Sequence, residues 1–201
     1  MKNVSEIVQT GDPVLRARAR EVEVERIGSP EMRTLVKKMI ATMREAPGVG
    51  LAAPQIGVPR RIIVLEDRAA LFGNLFDGER RERERVEVPI RTIFNPVLST
   101  IGEDRATFFE GCLSVSGFVA LVERSAEVEV TGLDEHAEPI RWRVRGWPAR
   151  ILQHEVDHLD GMLYIDRMIS RSFATAEQAS EFYAGKSVAE IRSALDAGGG
   201  S

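Results

Sequence analysis

Two histidines four positions apart, with a glutamate beside the first, are the residues of this chain best suited to do chemistry. They are His154 and His158, and Glu155 follows the first of them. Positions i and i+4 of a helix lie on one face, so both imidazoles can bind a single metal ion. Glu155 is rotated by about a hundred degrees and can reach a water on that ion. The pattern predicts metal-activated hydrolysis.

A third metal ligand must be found elsewhere, because a catalytic zinc or iron site usually takes three protein ligands and keeps one position open. The remaining histidine, His136, lies in a turn-like segment and is expected to be solvated. The carboxylates downstream of the motif are Asp160, Asp166, Glu177 and Glu181. Upstream, the only cysteine is Cys112, preceded by a glycine. A lone cysteine is often a small buried hydrophobe, but here its thiolate would complete a Cys-His-His set.

Three separate motifs resemble those of the peptide deformylases, metal hydrolases that remove the formyl group from the N-terminal formylmethionine of new polypeptides. The motifs are GVGLAAPQ at 48–55, EGCLS at 110–114 and QHEVDH at 153–158. They stand in the family's order and at comparable separations, and coincidence is a poor explanation for all three. The similarity runs from about residue 5 to about residue 170.

The segment GFVALVER at 117–124, with Gly146 and Trp147 ahead of the histidines, resembles the organellar-type branch more than the common enterobacterial type. Two positions depart from the family pattern. Ser116 stands where many members carry proline, and Val119 stands where many carry arginine. Neither position is a metal ligand, so the implied chemistry is unaffected. The sequence leaves open the preference for substrate residues beyond methionine.

The resemblance implies one divalent metal ion held by Cys112, His154 and His158. Ferrous iron is the usual native ion of the family, and this ligand set also suits zinc, nickel or cobalt. A bound metal lowers the pKa of water to about 7. Glu155 would take the proton from that water and later deliver it to the departing methionine nitrogen.

The resemblance also implies residues that stabilise and hold the substrate. The Gln55 side-chain amide and the Leu113 backbone N–H would stabilise the negative charge that develops on the formyl oxygen. The Gly50 backbone would hold the substrate in place. The remaining substrate-binding residues implied are Val49, Gly111, Trp147 and Ile151. From the residues alone, Gln55 could equally be an ordinary loop glutamine, and the apolar residues could be plain core.

Two other functions compete with deformylation. A metallopeptidase of the general His-Glu-x-x-His kind would take its third ligand from a downstream carboxylate, whereas Cys112 favours deformylation. A catalytically silent relative that keeps the metal structurally would need a closed site of four ligands. Glu155 and Gln55 argue against the silent alternative, since a structural metal needs neither.

Composition indicates an ordinary globular protein. The chain has 201 residues, 43% of them hydrophobic, and a net charge of −4. We expect a catalytic domain over residues 1–170 and a helical tail over 171–201 that ends in a flexible glycine-rich segment. The charge and the absence of a basic patch with interleaved aromatics exclude direct nucleic-acid recognition as a primary role. No signal peptide or membrane-spanning run is present, so a cytoplasmic location is expected.

The expected fold class is α+β, with antiparallel sheets around a central metal-binding helix. Between Ser29-Pro30 and Pro47, apolar residues recur at spacings of three and four, which predicts an amphipathic helix with a serine cap, proline in its first turn and a methionine stripe in the core. Alternating patterns near 127–130 and 140–144 predict a hairpin. Pro148 is suited to open the histidine helix.

The charged run at 77–87 is mixed in sign and is interpreted as a solvated loop without a chemical role. The GVGLAAPQ segment is interpreted as a loop that joins a helix to a buried strand near 61–65. Two short helices are expected after Ser170, the second with a capping box from Ser187 to Glu190. Their expected role is packing. The alternative is that the tail docks on a partner. One such partner would be the ribosome, bound transiently, because formyl-Met N-termini of nascent chains emerge there.

Overall fold

The computed structural model of the chain describes residues 4–72 and 77–197. Its strands are β1 (Gly50–Ala52), β2 (Ile62–Asp67), β3 (Val88–Thr100), β4 (Arg105–Cys112), β5 (Val115–Ser125), β6 (Glu127–Leu133), β7 (Pro139–Arg145) and β8 (Ala174–Thr175). Its helices are α1 (Val24–Ile27), α2 (Pro30–Glu45), α3 (Asp77–Glu82), α4 (Trp147–Leu159), α5 (Ala176–Tyr183) and α6 (Val188–Ala197). The expected flexible end at residues 198–201 lies outside the described residues.

The strands form two antiparallel sheets on either side of α4. The larger sheet has the order β1-β2-β3-β6-β7, and the smaller has the order β4-β5-β8. Helix α4 contacts strands of both sheets. The predicted α+β class, with antiparallel sheets around a central helix, is therefore confirmed. Within the part of the chain that the structure describes, no helix is long and apolar enough to cross a bilayer.

Helix α2 forms as its sequence pattern predicts. Ser29 accepts a hydrogen bond from the backbone N–H of Met32 at 3.2 Å, and Pro30 occupies the first turn. These residues satisfy a backbone donor and supply a preset φ, which favours helix initiation. The stripe Met32, Val36, Met39 and Met43 is buried in the core, as expected.

A glycine precedes helix α4 at a position where any side chain would be strained. Gly146 has φ of +70°, and a Cβ there would lie 2.4 Å from the Cβ of Glu84. Pro148 occupies the first turn, as predicted. One side of the helix is apolar and packs into the main core against the larger sheet, through Ala149, Leu152, Val156 and Leu159. This packing holds the two histidines on rigid backbone.

The predicted hairpin is confirmed by the pairing of β6 with β7, which runs in antiparallel register from Glu127↔Arg145 to Leu133↔Pro139. His136 is exposed in the connecting turn, where Asp134 Oδ1 accepts a hydrogen bond from its backbone N–H at 2.8 Å. It is therefore a solvated turn residue, as expected.

The charged run at 77–87 is not a simple solvated loop, and that prediction was wrong. It contains α3, and the segment after α3 turns back onto the core. Arg85 donates two hydrogen bonds to Asp67, at 2.7 and 2.8 Å, and both side chains are buried. The sequence pattern predicted a solvated run because it gives no sign of the buried partner. That partner, Asp67, lies on β2, away from the run in sequence.

Replacing Arg85 with methionine is expected to lower the free energy of unfolding by about 3–5 kcal/mol, because Asp67 would remain buried without its partner. Urea denaturation monitored by circular dichroism would measure the change. Arg141→Met is the matched control, since Arg141 pairs with Glu129 on the surface, where its side chain is 75% exposed. Equal stability of Arg85→Met and Arg141→Met would contradict the anchoring role.

The glycine-rich segment at 48–55 is more ordered than a loop. It contains β1, which pairs with β2, and then a 3-10 turn over Ala53–Ile56. The tail follows the expectation of two packed helices. Ser187 and Glu190 form the expected capping box, and Ile191 is buried against the body.

Candidate active site and metal centre

Cys112, His154 and His158 converge although they come from different elements. One ligand atom from each lies within 4.8 Å of the others, and the Cys112 Sγ is 3.3 Å from the His158 Nε2. Cys112 ends β4, and the histidines lie one turn apart in α4. A soft thiolate with two imidazoles fits a divalent transition-metal ion. Among the described residues the group has three members, so an ion held by them would keep a coordination position for water or substrate.

The two imidazoles are prepared as ligands in different ways. Burial lowers the pKa of His158 well below its ordinary value, which favours the neutral form that binds metals. The His154 Nδ1 lies 3.0 Å from the Glu110 Oε2. A carboxylate on one ring nitrogen orients the ring and leaves the other nitrogen for a metal.

Glu110 is a buried carboxylate whose role the sequence did not reveal. Arg124 donates to both of its oxygens, at 2.6 and 2.9 Å, and Arg150 donates to Oε1 as well. Burial alone would raise the pKa of Glu110, but the hydrogen bonds from Arg124 and His154 outweigh burial and hold that pKa well below its usual range. The residue therefore stays ionised and holds the His154 ring. The sequence shows that Glu110 lies two residues before Cys112. It does not show that Arg124, Arg150 and His154 contact its carboxylate.

Glu155 is the carboxyl group suited to proton transfer. Burial raises its pKa to about 7, against the opposing charges of His154 and Arg124. Its Oε2 atom is buried and has no hydrogen-bond partner among the described residues. Near neutral pH such a group can both accept and donate a proton.

Gly50 lies so close to Glu155 that an added side chain would displace the carboxylate. A Cβ at Gly50 would lie 2.2 Å from the Glu155 Oε1. The glycine of the GVGLAAPQ motif is thus required by contact with the carboxylate on α4. Its backbone lies beside the reacting groups.

Gly50→Ala is expected to lower kcat/KM for the reaction at this site by about 100-fold, because the Glu155 carboxylate would be displaced from its position. Steady-state kinetics would measure the effect. Gly28→Ala is the matched control, since no atom lies within 4 Å of the Cβ it would add. An unchanged kcat/KM for Gly50→Ala would show that the position of Glu155 is not critical.

Gln55 is an anchored amide and not an ordinary loop residue. Its Oε1 accepts from the Ala52 backbone N–H at 2.9 Å. Its Nε2 lies 3.5 Å from the Cys112 Sγ and 3.3 Å from the Ser114 Oγ. Because its oxygen is anchored, the amide group of Gln55 is turned toward Cys112, one of the three candidate ligands, and toward Ser114.

The candidate ligands Cys112 and His154, together with Glu155, Gly50 and Gln55, line one cavity of about 440 Å³. All the site residues predicted from the sequence line it except His158, which is buried beneath; they are Val49, Gly50, Gln55, Gly111, Cys112, Leu113, Trp147, Ile151, His154 and Glu155. The apolar members form the wall of a slot. The arrangement can hold a metal, move a proton and take an apolar side chain.

Several lining residues were not found from the sequence. Arg83 comes from the charged run and stacks over the Trp147 ring at 5.0 Å from its centroid. Phe109 and Phe118 come from the smaller sheet, and Ala176 from the tail. No local pattern marks these positions, because distant segments bring them to the cavity.

The downstream carboxylates are engaged elsewhere. Asp160 pairs with Arg61 at 2.6 Å, and Asp166 pairs with Arg16. Neither they nor the tail glutamates belong to the Cys-His-His group found among the described residues. The ligand set required by the metallopeptidase alternative is therefore not formed by these carboxylates.

Comparisons with known proteins agree with this geometry. A sequence model of the polypeptide deformylase family matches residues 4–174. The chain is 50% identical to peptide deformylase 1A, chloroplastic, of Solanum lycopersicum, over 86% of this chain and 62% of the relative. It is 44% identical to the mitochondrial peptide deformylase of Homo sapiens, over 84% and 70%. For peptide deformylase 1 of Streptomyces coelicolor the identity is 46%, over 94% and 84%.

Solved structures show the same likeness. A class I type b peptide deformylase from Acinetobacter baumannii, solved with Met-Ala-Ser bound, has a TM-score of 0.75 and 31% identity, over 84% of this chain and 100% of that one. A Synechococcus elongatus peptide deformylase in complex with actinonin has a TM-score of 0.68 and 33% identity, over 96% and 84%. The chain spans less than two thirds of the tomato and Arabidopsis thaliana relatives. The chain belongs to the polypeptide deformylase family.

Proposed function

We propose that the protein is a metal-dependent hydrolase that removes the formyl group from the N-terminal formylmethionine of newly made polypeptides and releases formate. The observation that carries the proposal is the Cys112, His154 and His158 group beside Glu155 in one cavity. Membership of the polypeptide deformylase family, whose activity is metal-dependent, supports it.

The proposed roles of the side chains are supported by their positions. Cys112, His154 and His158 would hold the metal, and Glu110 would orient the His154 ring through the 3.0 Å contact with its Nδ1. When bound, a divalent ion lowers the pKa of water to about 7 and polarises a carbonyl. Glu155 would accept the proton of the attacking water and return it to the methionine nitrogen as the amide bond breaks.

Negative charge on the formyl oxygen would be stabilised by two donors. The Gln55 amide is supported by its anchored oxygen and by its nearness to Cys112. The Leu113 backbone N–H follows the cysteine directly. Each donor of this kind contributes about 3 kcal/mol in comparable sites. The backbone of Gly50 would hold the substrate opposite them.

Selectivity for methionine would come from an apolar slot. Val49, Trp147 and Ile151 line the cavity, and the His154 ring closes part of it. Gly111 leaves room for close approach of the substrate backbone. A site that admits only the small formyl group would exclude bulkier acyl groups sterically and so differ from a general peptidase.

Ferrous iron is the proposed native ion. Ligand softness alone also admits zinc, nickel and cobalt. An iron ion beside a thiolate is vulnerable to oxygen, so we expect activity to fall on aerobic handling and to be protected by nickel or cobalt. Metal analysis of anaerobically purified protein measures the resident ion. Equal, air-stable activity with zinc would contradict iron.

The test of function is formate release. Anaerobically purified protein with quantified metal is incubated with formyl-Met-Ala-Ser and, separately, with Met-Ala-Ser. Formate from the first peptide and an intact second peptide are expected. Cleavage of Met-Ala-Ser would favour a metallopeptidase, whereas retained metal without formate or cleavage would favour a silent relative.

The cellular setting is proposed on chemical grounds. A thiolate ligand lasts best in a reducing compartment, so we propose the cytoplasm; relatives include proteins named chloroplastic and mitochondrial. Since the substrate is a nascent chain, a transient association with the ribosome is proposed, without recognition of nucleic acid. We propose that the chain is divided into a catalytic domain over residues 1–170 and a tail over 171–201. The family match, which ends at residue 174, supports this boundary.

A further inference from the structure

The N-terminal segment contacts both parts of the chain that carry the proposed donors to the formyl oxygen. The backbone N–H of Val8 donates to the Gln55 carbonyl at 2.8 Å, and the backbone N–H of Thr10 donates to the Ser114 carbonyl at 2.7 Å. Gln9 lies between these two contacts. Its backbone is therefore held beside the segment that follows the candidate cysteine ligand.

The Gln9 side chain binds the backbone next to that ligand. Its Nε2 donates to the Leu113 carbonyl at 3.0 Å, across 104 positions of sequence, and to the Ile7 carbonyl at 3.2 Å. Leu113 directly follows Cys112, and its backbone N–H is one of the two proposed donors. A residue has two soft backbone dihedrals, and a hydrogen bond to its carbonyl restrains one of them. Gln9 thus acts on the residue that carries the donor.

Ser116 engages the other end of the Gln9 amide. Its Oγ lies 2.9 Å from the Gln9 Oε1 and 3.3 Å from the Leu113 carbonyl oxygen. Its backbone N–H donates to the same Gln9 oxygen at 3.4 Å. The three residues Gln9, Leu113 and Ser116 are called the amide clamp below.

The amide clamp depends on a residue that departs from the family pattern. Ser116 stands where many members of the family carry proline. Proline has neither a hydroxyl nor a backbone N–H, so it could make neither of the contacts with the Gln9 oxygen. Family membership therefore assigns no role to these contacts.

We propose that Gln9 and Ser116 are positioning residues that keep the Leu113 backbone N–H directed at the negative charge developing on the formyl oxygen. The inference rests on the proposed function, in which Leu113 supplies one of the two donors. Such a donor is effective only when it is already aimed at the charge, and removal of one costs about 10² to 10³ in kcat. A donor that is merely misdirected loses part of this effect.

The two positioning residues do not reach the substrate themselves. Leu113 lines the site cavity, but Gln9 and Ser116 do not, and both are exposed. They would therefore act through Leu113 alone. Loss of an interaction that is made only in the transition state lowers kcat and leaves KM unchanged. This separation of kcat from KM distinguishes positioning of the donor from binding of the peptide.

Gln9→Met tests the clamp at its centre. Methionine has a similar length but no amide, so the clamp is broken without adding a charge. We expect kcat for formate release from formyl-Met-Ala-Ser to fall about tenfold, with KM, bound metal and the circular dichroism spectrum unchanged. Gln178→Met is the matched control, since Gln178 is an exposed glutamine whose amide contacts Glu181 on α5. Its kcat should equal that of the wild type.

Two variants of Ser116 test the hydroxyl. Ser116→Ala removes it and is expected to lower kcat about threefold, the effect of one modest hydrogen bond. Ser116→Thr keeps a hydroxyl and should restore most of the lost kcat. In a Gln9→Met background, Ser116→Ala should have little further effect, because side chains that act as one unit are not additive.

Four results would overturn the inference while formate release by the wild type leaves deformylation intact. They are an unchanged kcat in Gln9→Met, a raised KM at constant kcat, loss of metal, and a full second loss when Ser116→Ala is added to Gln9→Met. The second result would indicate peptide binding, and the third would indicate support of Cys112. Absence of formate from the wild type would instead refute the proposed function, and the amide clamp with it.

Discussion

Replacing Glu155 with glutamine is expected to lower kcat/KM for formyl-Met-Ala-Ser by about 10² to 10⁴-fold. Glutamine keeps the size of the side chain but cannot exchange a proton at neutral pH. The wild-type carboxyl can, because burial raises its pKa to about 7. Formate release at saturating and limiting peptide would measure the loss, and elemental analysis is expected to show an unchanged metal content, since Glu155 lies outside the Cys-His-His group found among the described residues.

The metal measurement separates a proton-transfer role from a structural one. Glu87→Gln is the control, because Glu87 is an exposed glutamate before β3. Its kcat/KM should equal that of the wild type. If Glu155→Gln lost metal together with activity, Glu155 would act by supporting the metal centre; full activity would remove it from the mechanism.

Replacing Cys112 with serine is expected to remove both metal and activity. A serine hydroxyl does not ionise at neutral pH, so the proposed ligand set would lose its only soft donor. Changes beside a metal ligand already cost 10 to 100-fold in affinity, and loss of a ligand should cost at least about 100-fold. Titration with nickel or cobalt under anaerobic conditions, followed by formate release, would measure both effects.

The folding of the serine variant must be checked independently. Its circular dichroism spectrum should match that of wild-type protein from which the metal has been removed by a chelator. A serine variant that retains one metal per chain and wild-type turnover would show that Cys112 is not a ligand. That result would instead favour the metallopeptidase alternative, in which a downstream carboxylate is the third ligand.

Local patterns predicted the elements whose causes lie close together in sequence. The capped helix α2, the β6 and β7 hairpin and the opening of α4 at Pro148 depend on spacing, caps and turns within a few residues. His154 and His158 lie on one helix, so their spacing in the sequence was enough to predict that they share a face. These predictions needed no tertiary information.

Local patterns failed where a distant partner decides the structure. The charged run at 77–87 looked solvated, yet Arg85 is anchored by Asp67 and Arg83 reaches the site cavity. Glu110 stood in a recognised motif, but its ion pairs with Arg124 and Arg150 depend on contacts between β4, β5 and α4. Charge pattern alone cannot distinguish a surface ion from one paired inside the core.

The sequence by itself determined which residue types could form a metal site and, by resemblance, the family. Tertiary structure decided which of those residues meet: it joined Cys112 to His158 across 46 residues and set the backbone of Gly50 against Glu155. It also brought the Gln9 side chain to the carbonyl of Leu113. The physical reason is that ligand types and helix spacing are local properties, whereas cavities, ion-pair partners and raised pKa values arise from burial between segments far apart in the chain.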